Sequence, residues 1–175
     1  FSLGFITERA FLFMSPDTES KLLAPLASAA AGLNESEDSP VSVQVRKLLQ
    51  KLSAHWPNAG YTFSVWVANE QTPNAFAIPG GSIIITQGLL DELSSENELA
   101  MILGHELGHF KGRDHIRGLS RNLAMGLLTS ILSQAAGIDI SNNDLLSTVN
   151  SLSARSFDRQ QEREADEFGL QLVQK

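Results

Sequence analysis

The segment from Ser95 to Gly112 constrains this chain more than any other. Ser95-Glu96-Asn97-Glu98 has the S-x-x-E form of a capping box, and Gly112 offers a stop, so a helix is expected between them. Leu99, Leu103, Leu107 and Phe110 form one apolar stripe along it, while His105-Glu106-Leu107-Gly108-His109 places two imidazoles on another side. Histidines four residues apart point the same way on a helix, so both can hold one metal ion. Glu106, about 100° round the helix, can reach a water bound to that metal. The spacing predicts a hydrolytic metal site, and a buried one.

A catalytic zinc needs three protein donors and one open position. Two residues compete for the third place. Glu162 opens Glu162-Arg163-Glu164-Ala165-Asp166, where Glu162 and Asp166 share a helix face. Like charges at that spacing weaken a helix by roughly a few tenths of a kcal/mol, an objection that a nearby dication removes. On this reading Glu162 is a ligand, and Asp166 accepts a hydrogen bond from the far ring nitrogen of a ligating histidine. The plainer alternative is a solvated acidic face with Arg159 and Arg163 as counterions. The rival ligand is His115, because His105-Glu106-x-x-His109-x-x-Gly112-x-x-His115 satisfies the three-histidine metzincin pattern. That class also needs a methionine-bearing turn well downstream. The only later methionine, Met125, falls within a helical pattern.

At 175 residues, 42% hydrophobic and 19% charged, the chain reads as one globular domain. A net charge of −7 without a basic run argues against a nucleic-acid partner. There are no cysteines, so disulfides and thiolate metal sites are excluded. No apolar run approaches the roughly 20 residues of a membrane span. The chain opens at Phe1 without a methionine and stops at Lys175 within a helical pattern, so it is read as a piece of a longer protein, with room for a membrane tether outside it.

In chain order, residues 1 to 14 are greasy and are expected to pack on the domain. A helix is expected from Pro16 to Gly32, kinked or split at Pro25, followed by an acidic linker from Asn34 to Ser39. Pro40 after Ser39 starts a second helix, with Val41, Val45, Leu48, Leu49 and Leu52 at helical spacing. Strands are expected at Tyr61 to Val67, Asn74 to Ile78 and Ser82 to Thr86, with Pro79-Gly80-Gly81 as a turn. Past the metal helix, residues 116 to 136 read as helical, Ile138 to Asp144 as a loop, Leu145 to Leu152 as a short helix and Phe157 to Val173 as the last helix. The expected class is α+β: a mainly helical, zincin-like metallopeptidase domain with a small antiparallel sheet beside the H-E-x-x-H helix. Residues 1 to 58 make an N-terminal helical part and 60 to 175 the catalytic core. In such an enzyme an edge strand at Asn74, Ala75, Phe76 and Ala77 can pair with an extended substrate.

Asn74-Ala75-Phe76-Ala77-Ile78-Pro79-Gly80-Gly81, Gly88-Leu89-Leu90, His105-Glu106-Leu107-Gly108-His109 and Glu162-x-x-Ala165-Asp166 resemble, in order and spacing, the zinc endopeptidase family of HtpX and the CAAX prenyl protease. The resemblance implies one Zn2+ per chain held by His105, His109 and Glu162, with Glu106 as base. Arg159 stands where the family often has an arginine, but Asp158 replaces the serine usual beside it. Integral members carry a transmembrane hairpin between the metal helix and the third ligand. Residues 116 to 153 are more polar, which implies the soluble or tethered branch. The family also implies a polypeptide substrate, misfolded or membrane-associated, and a place in the bacterial cell envelope.

The expected reaction is peptide hydrolysis, with Arg159, His115 and Tyr61 as candidate donors to the tetrahedral oxyanion. Two alternatives stand beside it: a metzincin-like protease using His115, and a non-catalytic zinc-containing peptide-binding or chaperone-like module. The intact Glu106 argues against the latter, since a structural zinc needs no base.

Overall fold

The computed structural model describes residues 13–31, 39–117 and 156–175, together with positions 126, 129 and 133; of 24–31 it describes the backbone alone. The expected linker at 34 to 38, most of the 116 to 136 stretch, the 138 to 144 loop and the 145 to 152 helix lie outside the described residues, as do residues 1 to 12.

Helix α1 (Pro16–Ala31) begins where the Ser15 Oγ accepts the Thr18 N–H, and it continues past Pro25. Helix α2 (Pro40–Ala54) begins as its sequence dictates, with Ser39 accepting the Ser42 N–H and Pro40 in the first turn. Val45, Leu48, Leu49 and Leu52 are buried, while Val41 stays 39% exposed at the open end of the stripe.

Three strands follow, β1 (Ser64–Ala68), β2 (Ala75–Ile78) and β3 (Ser82–Thr86), in the order β1-β3-β2. The hairpin through Pro79-Gly80-Gly81 makes β2 and β3 antiparallel, with Gly80 (φ 105°) and Gly81 (φ 93°) in the left-handed region. β1 runs parallel to β3, so the sheet is mixed and not antiparallel as expected. The reason lies in β3. Its Ile83-Ile84-Ile85 run is buried on both faces, which is stable only in the centre, and the less buried β2 is carried past it to the edge.

Short α3 (Gln87–Glu92), capped by Thr86, leads to α4 (Glu96–Gly112), capped by Ser95. The last helix, α5 (Arg159–Val173), starts from a capping box in which Asp158 accepts from the first turn and the Gln161 side chain accepts the Asp158 N–H. Asp158 thus does the capping a serine would do at that position. One apolar core holds Val45, Leu49 and Leu52 of α2, Val65, Val67, Ile83 and Ile85 of the sheet, Leu103, Leu107 and Phe110 of α4, and Phe168 and Leu172 of α5.

Helix α1 is bolted on by a polar contact. Glu19, with no exposed surface, accepts from His115 Nε2 (2.7 Å) and the Gly80 N–H (2.9 Å) at one oxygen. Its other oxygen accepts from the Tyr61 hydroxyl (2.9 Å) and Arg113 Nη2 (3.1 Å). Burial alone would push this carboxyl up, yet His115, the Gly80 N–H and Tyr61 together hold it below the usual carboxylate range. A lowered folded value means that the stabilisation is present above the unfolded value, about 4.3, and is lost as pH falls through the folded one. Glu19→Gln should therefore cost roughly 3 kcal/mol near neutral pH. The gap in melting temperature from wild type should be full above about pH 4.3 and narrow as pH falls further below it. A gap that does not change with pH would show that the charge of Glu19 is not its source.

Candidate metal centre

Helix α4 presents His105 and His109 on one side, and α5 lies across that side at very short range. A Cβ on Gly108 would stand 2.5 Å from Ala165 Cα, and one on Gly104 would stand 2.9 Å from Gly169 Cα. Only hydrogen fits at these two positions, and the backbones meet there. The close approach carries Glu162 to the histidines. His105 Nε2 and His109 Nε2 are 3.1 Å apart, and Glu162 Oε2 is 3.4 Å from His105 Nε2. One donor atom from each of the three residues lies within 4.8 Å of the others.

The outer ring nitrogens explain why the inner ones converge. His105 Nδ1 is 2.8 Å from Asp166 Oδ1, and His109 Nδ1 is 3.1 Å from Asp114 Oδ2. Carboxylates can only accept, so each Nδ1 carries the proton and each Nε2 turns a lone pair inward. Asp114 is itself held by Gln161 Nε2 at 2.8 Å, and the Phe157 ring lies over His109 with centroids 4.0 Å apart. Burial pushes the His109 imidazole below its ordinary value, against the opposing pull of Asp114, which keeps it in the neutral form a metal requires.

Glu106 is buried beside them. Loss of hydration is the main cause that pushes its carboxyl up to about 7; the Glu162 charge adds to this, while His105 and a hydrogen bond from the Ala77 N–H oppose it. Ala77 lies on the free edge of the sheet. Asn74 pairs with Thr86 through Thr86 N–H to Asn74 O (3.0 Å), so by antiparallel alternation the backbone groups of Ala75 and Ala77 point away from β3.

Of the residues singled out in the sequence, His105, Glu106, His109, Glu162 and Asp166 meet in one place. His115 does not join them: it is fully buried, its Nε2 is bound to Glu19, and it faces away as Tyr61 does. The three-histidine arrangement is thereby not favoured. Where a metzincin turns its third histidine back to the metal, this chain turns His115 into the α1 contact. Arg159 is exposed in the first turn of α5. The backbone of Asn74 is committed to β3 through Thr86, which leaves Ala75, Phe76 and Ala77 as the edge. Asp114, Gln161, Phe157 and Glu19 were not foreseen. Only Gln161 had a local signal, as the fourth residue of an Asp-x-x-Gln capping box.

The spacing of the donor set suits a tetrahedral ion such as zinc. A tetrahedral ion with bonds of about 2.0–2.1 Å separates neighbouring donors by about 3.4 Å, close to the distances here, and leaves one position open. Two imidazoles and a carboxylate from a second helix, with a buried glutamate alongside, are the equipment of a metal-dependent peptidase. More narrowly, residues 35–175 match peptidase family M48, and the chain belongs to that family. The resemblance to HtpX and the CAAX prenyl protease agrees with this. The chain is 37% identical over 115 residues to the mitochondrial metalloendopeptidase OMA1 of Arabidopsis thaliana, covering 65% of this chain and 23% of the relative. It is 33% identical over 116 residues to OMA1 of Saccharomyces cerevisiae, covering 65% and 33%. It is 29% identical over 148 residues to the β-barrel assembly-enhancing protease of Escherichia coli O157:H7, covering 79% and 30%. The chain thus spans a third or less of the length of these relatives.

If the bare backbone contact sets the donor spacing, Gly108→Ala should push α5 outward. The expected loss is roughly 1–3 kcal/mol of stability, with metal bound about tenfold more weakly. Calorimetric titration with zinc measures the second effect; unchanged affinity would show that the spacing does not depend on this contact.

Proposed function

We propose that this chain is the catalytic domain of a zinc-dependent endopeptidase, with His105, His109 and Glu162 holding one zinc and Glu106 acting as general base. The observation that carries the proposal is the convergence of two inward lone pairs and one carboxylate oxygen beside a buried, uncapped-by-cation glutamate. Zinc, when bound, supplies a Lewis acid for the scissile carbonyl and brings the pKa of water towards about 7. Glu106 takes the proton of the attacking water at its carboxylate and later delivers it to the leaving amine. Its raised affinity for protons suits both steps. Asp166 and Asp114 hold the two imidazoles in the tautomer and orientation the site needs.

An extended polypeptide pairs with the outward backbone groups of Ala75 and with the Ala77 C=O and is laid across the centre, with Phe76 between them. The Ala77 N–H that meets Glu106 lies at the point where chain and base come together. With His115 and Tyr61 turned to Glu19, Arg159 is the remaining candidate donor to the oxyanion. Helix α2 shares its core with α4 and α5, which supports reading 1–175 as a single metallopeptidase domain.

The substrate we propose is a misfolded or membrane-associated polypeptide, and the location the bacterial cell envelope. The Escherichia coli relative, named for β-barrel assembly, supports both. Among the described residues no helix is long and apolar enough to cross a membrane.

Cleavage of a denatured protein should be abolished by a chelator and restored by zinc. Glu106→Gln should keep its zinc and lose at least about 10²-fold in kcat, the scale of a general base; a zinc-loaded variant with wild-type turnover would remove Glu106 from that role. At saturating zinc, metal analysis should find one ion per chain in wild type and in His115→Gln, and a deficit in Glu162→Ala. The reverse pattern between the two variants would return the third place to His115.

A further inference from the structure

We propose that Glu19 is a positioning residue of the metal centre: it clamps the two residues that flank Asp114, and through Asp114 it sets the ring of His109. The inference rests on the reading of His105, His109 and Glu162 as zinc ligands. Glu19 lies before residue 35, where the family likeness begins, so nothing in that likeness assigns it a role.

The chain from His109 to His115 carries the argument. Helix α4 ends at Gly112, and the next residue, Arg113, takes the left-handed conformation at φ 56°, which a residue with a side chain adopts reluctantly. Its guanidinium spans two acceptors on the N-terminal side, Met14 O at 2.7 Å and Glu19 Oε2 at 3.1 Å. Two residues on, His115 gives its Nε2 hydrogen to Glu19 Oε1 at 2.7 Å. Asp114 stands between these anchors. Its N–H returns to His109 O (2.9 Å), and its Oδ2 meets His109 Nδ1. A turn strained at Arg113 and gripped on both sides by one buried carboxylate holds the Asp114 carboxylate at a defined distance from the imidazole. The same carboxylate accepts the Gly80 N–H, so the hairpin that carries the substrate edge is registered to the same point.

The test uses the full chain loaded with Co(II) in place of zinc, because the visible absorption of cobalt reports the arrangement of its ligands whether or not turnover occurs. Glu19→Gln keeps the side-chain volume but turns an amide N–H2 towards groups that donate. It should shift the cobalt bands, weaken metal binding about tenfold and lower kcat about tenfold with little change in KM. Tyr61→Phe, which removes one donor and keeps the ring, should give the same changes at smaller size. Leu23→Ala, one turn along the same buried face of α1 but without a hydrogen bond to the cluster, should lower the melting temperature and leave the cobalt spectrum as in wild type. The proposal is overturned by a wild-type spectrum and affinity in Glu19→Gln, or by Leu23→Ala reproducing its spectral shift. If Glu19→Gln does not fold, Tyr61→Phe decides by the same readings. A wild type that binds cobalt but cleaves nothing removes the peptidase reading while the spectra still decide on Glu19.

Discussion

The bare backbone contact between α4 and α5 is the constraint on which the site depends. Glycine inside a helix is unfavourable by about 1 kcal/mol relative to alanine, and this helix pair accepts it at Gly104, Gly108 and Gly169, all facing one seam. What is gained is reach. Glu162 is a short carboxylate on one helix and His105 an imidazole on another, and they meet at 3.4 Å only because no side chain separates the axes. The same approach lets Asp166 meet His105 and lets Gln161 hold Asp114. Three cross-helix distances thus follow from one packing decision. Leucine or valine along this seam would give a more ordinary helix pair without the metal centre.

The chemistry at the seam is electrostatically one-sided. Glu106, Glu162, Asp114 and Asp166 surround two imidazoles whose outer nitrogens already donate. Burial and the neighbouring Glu162 push the Glu106 carboxyl up towards about 7, and burial pushes His109 down. Both shifts begin in loss of hydration, and at Glu106 the Glu162 charge adds to it, the mark of an acceptor-rich surrounding short of positive charge. A dication at the convergent atoms answers it, and so the perturbed groups lie where the chemistry is proposed. The difference in exposure between the sides gives the centre a direction. Asp166 and Glu162 are 63% and 44% exposed, while His109 and Glu106 are enclosed, so among the described residues the α5 side of the candidate centre is the more exposed one.

Much of this was legible because it is written in short-range pattern. The Ser39-Pro40 and Ser95 caps, the α4 stripe, the isoleucine strand and the Pro-Gly-Gly hairpin are local devices, and each formed where its residues direct. His105, Glu106 and His109 could be singled out because metal chemistry restricts spacing so tightly. Strand order could not be read in this way. Pairing β1 with β3 across an intervening strand depends on which strand is apolar on both faces, a comparison among strands that no single window contains. Nor was the choice between Glu162 and His115 open to spacing alone, since both satisfy a known pattern. What weighs on it is Glu19, far away in sequence, which offers His115 a carboxylate of its own.

That contact also separates two notions of where the enzyme begins. Likeness to the family starts at residue 35, but the donors of Gly80, Tyr61, Arg113 and His115, all within the shared region, converge on a carboxylate from α1. Without it the Gly80 N–H and the His115 Nε2 hydrogen would lose this buried acceptor, at a cost in desolvation, and Arg113 would lose one of its bonds while keeping that to Met14 O. Such a set of donors is stable only if its acceptor is always present. The α1 helix therefore belongs to the physical unit that shapes the turn after α4, although the family match begins after it. Sequence likeness follows the residues that meet the metal; stability also depends on those that hold them, and at Glu19 the two part company.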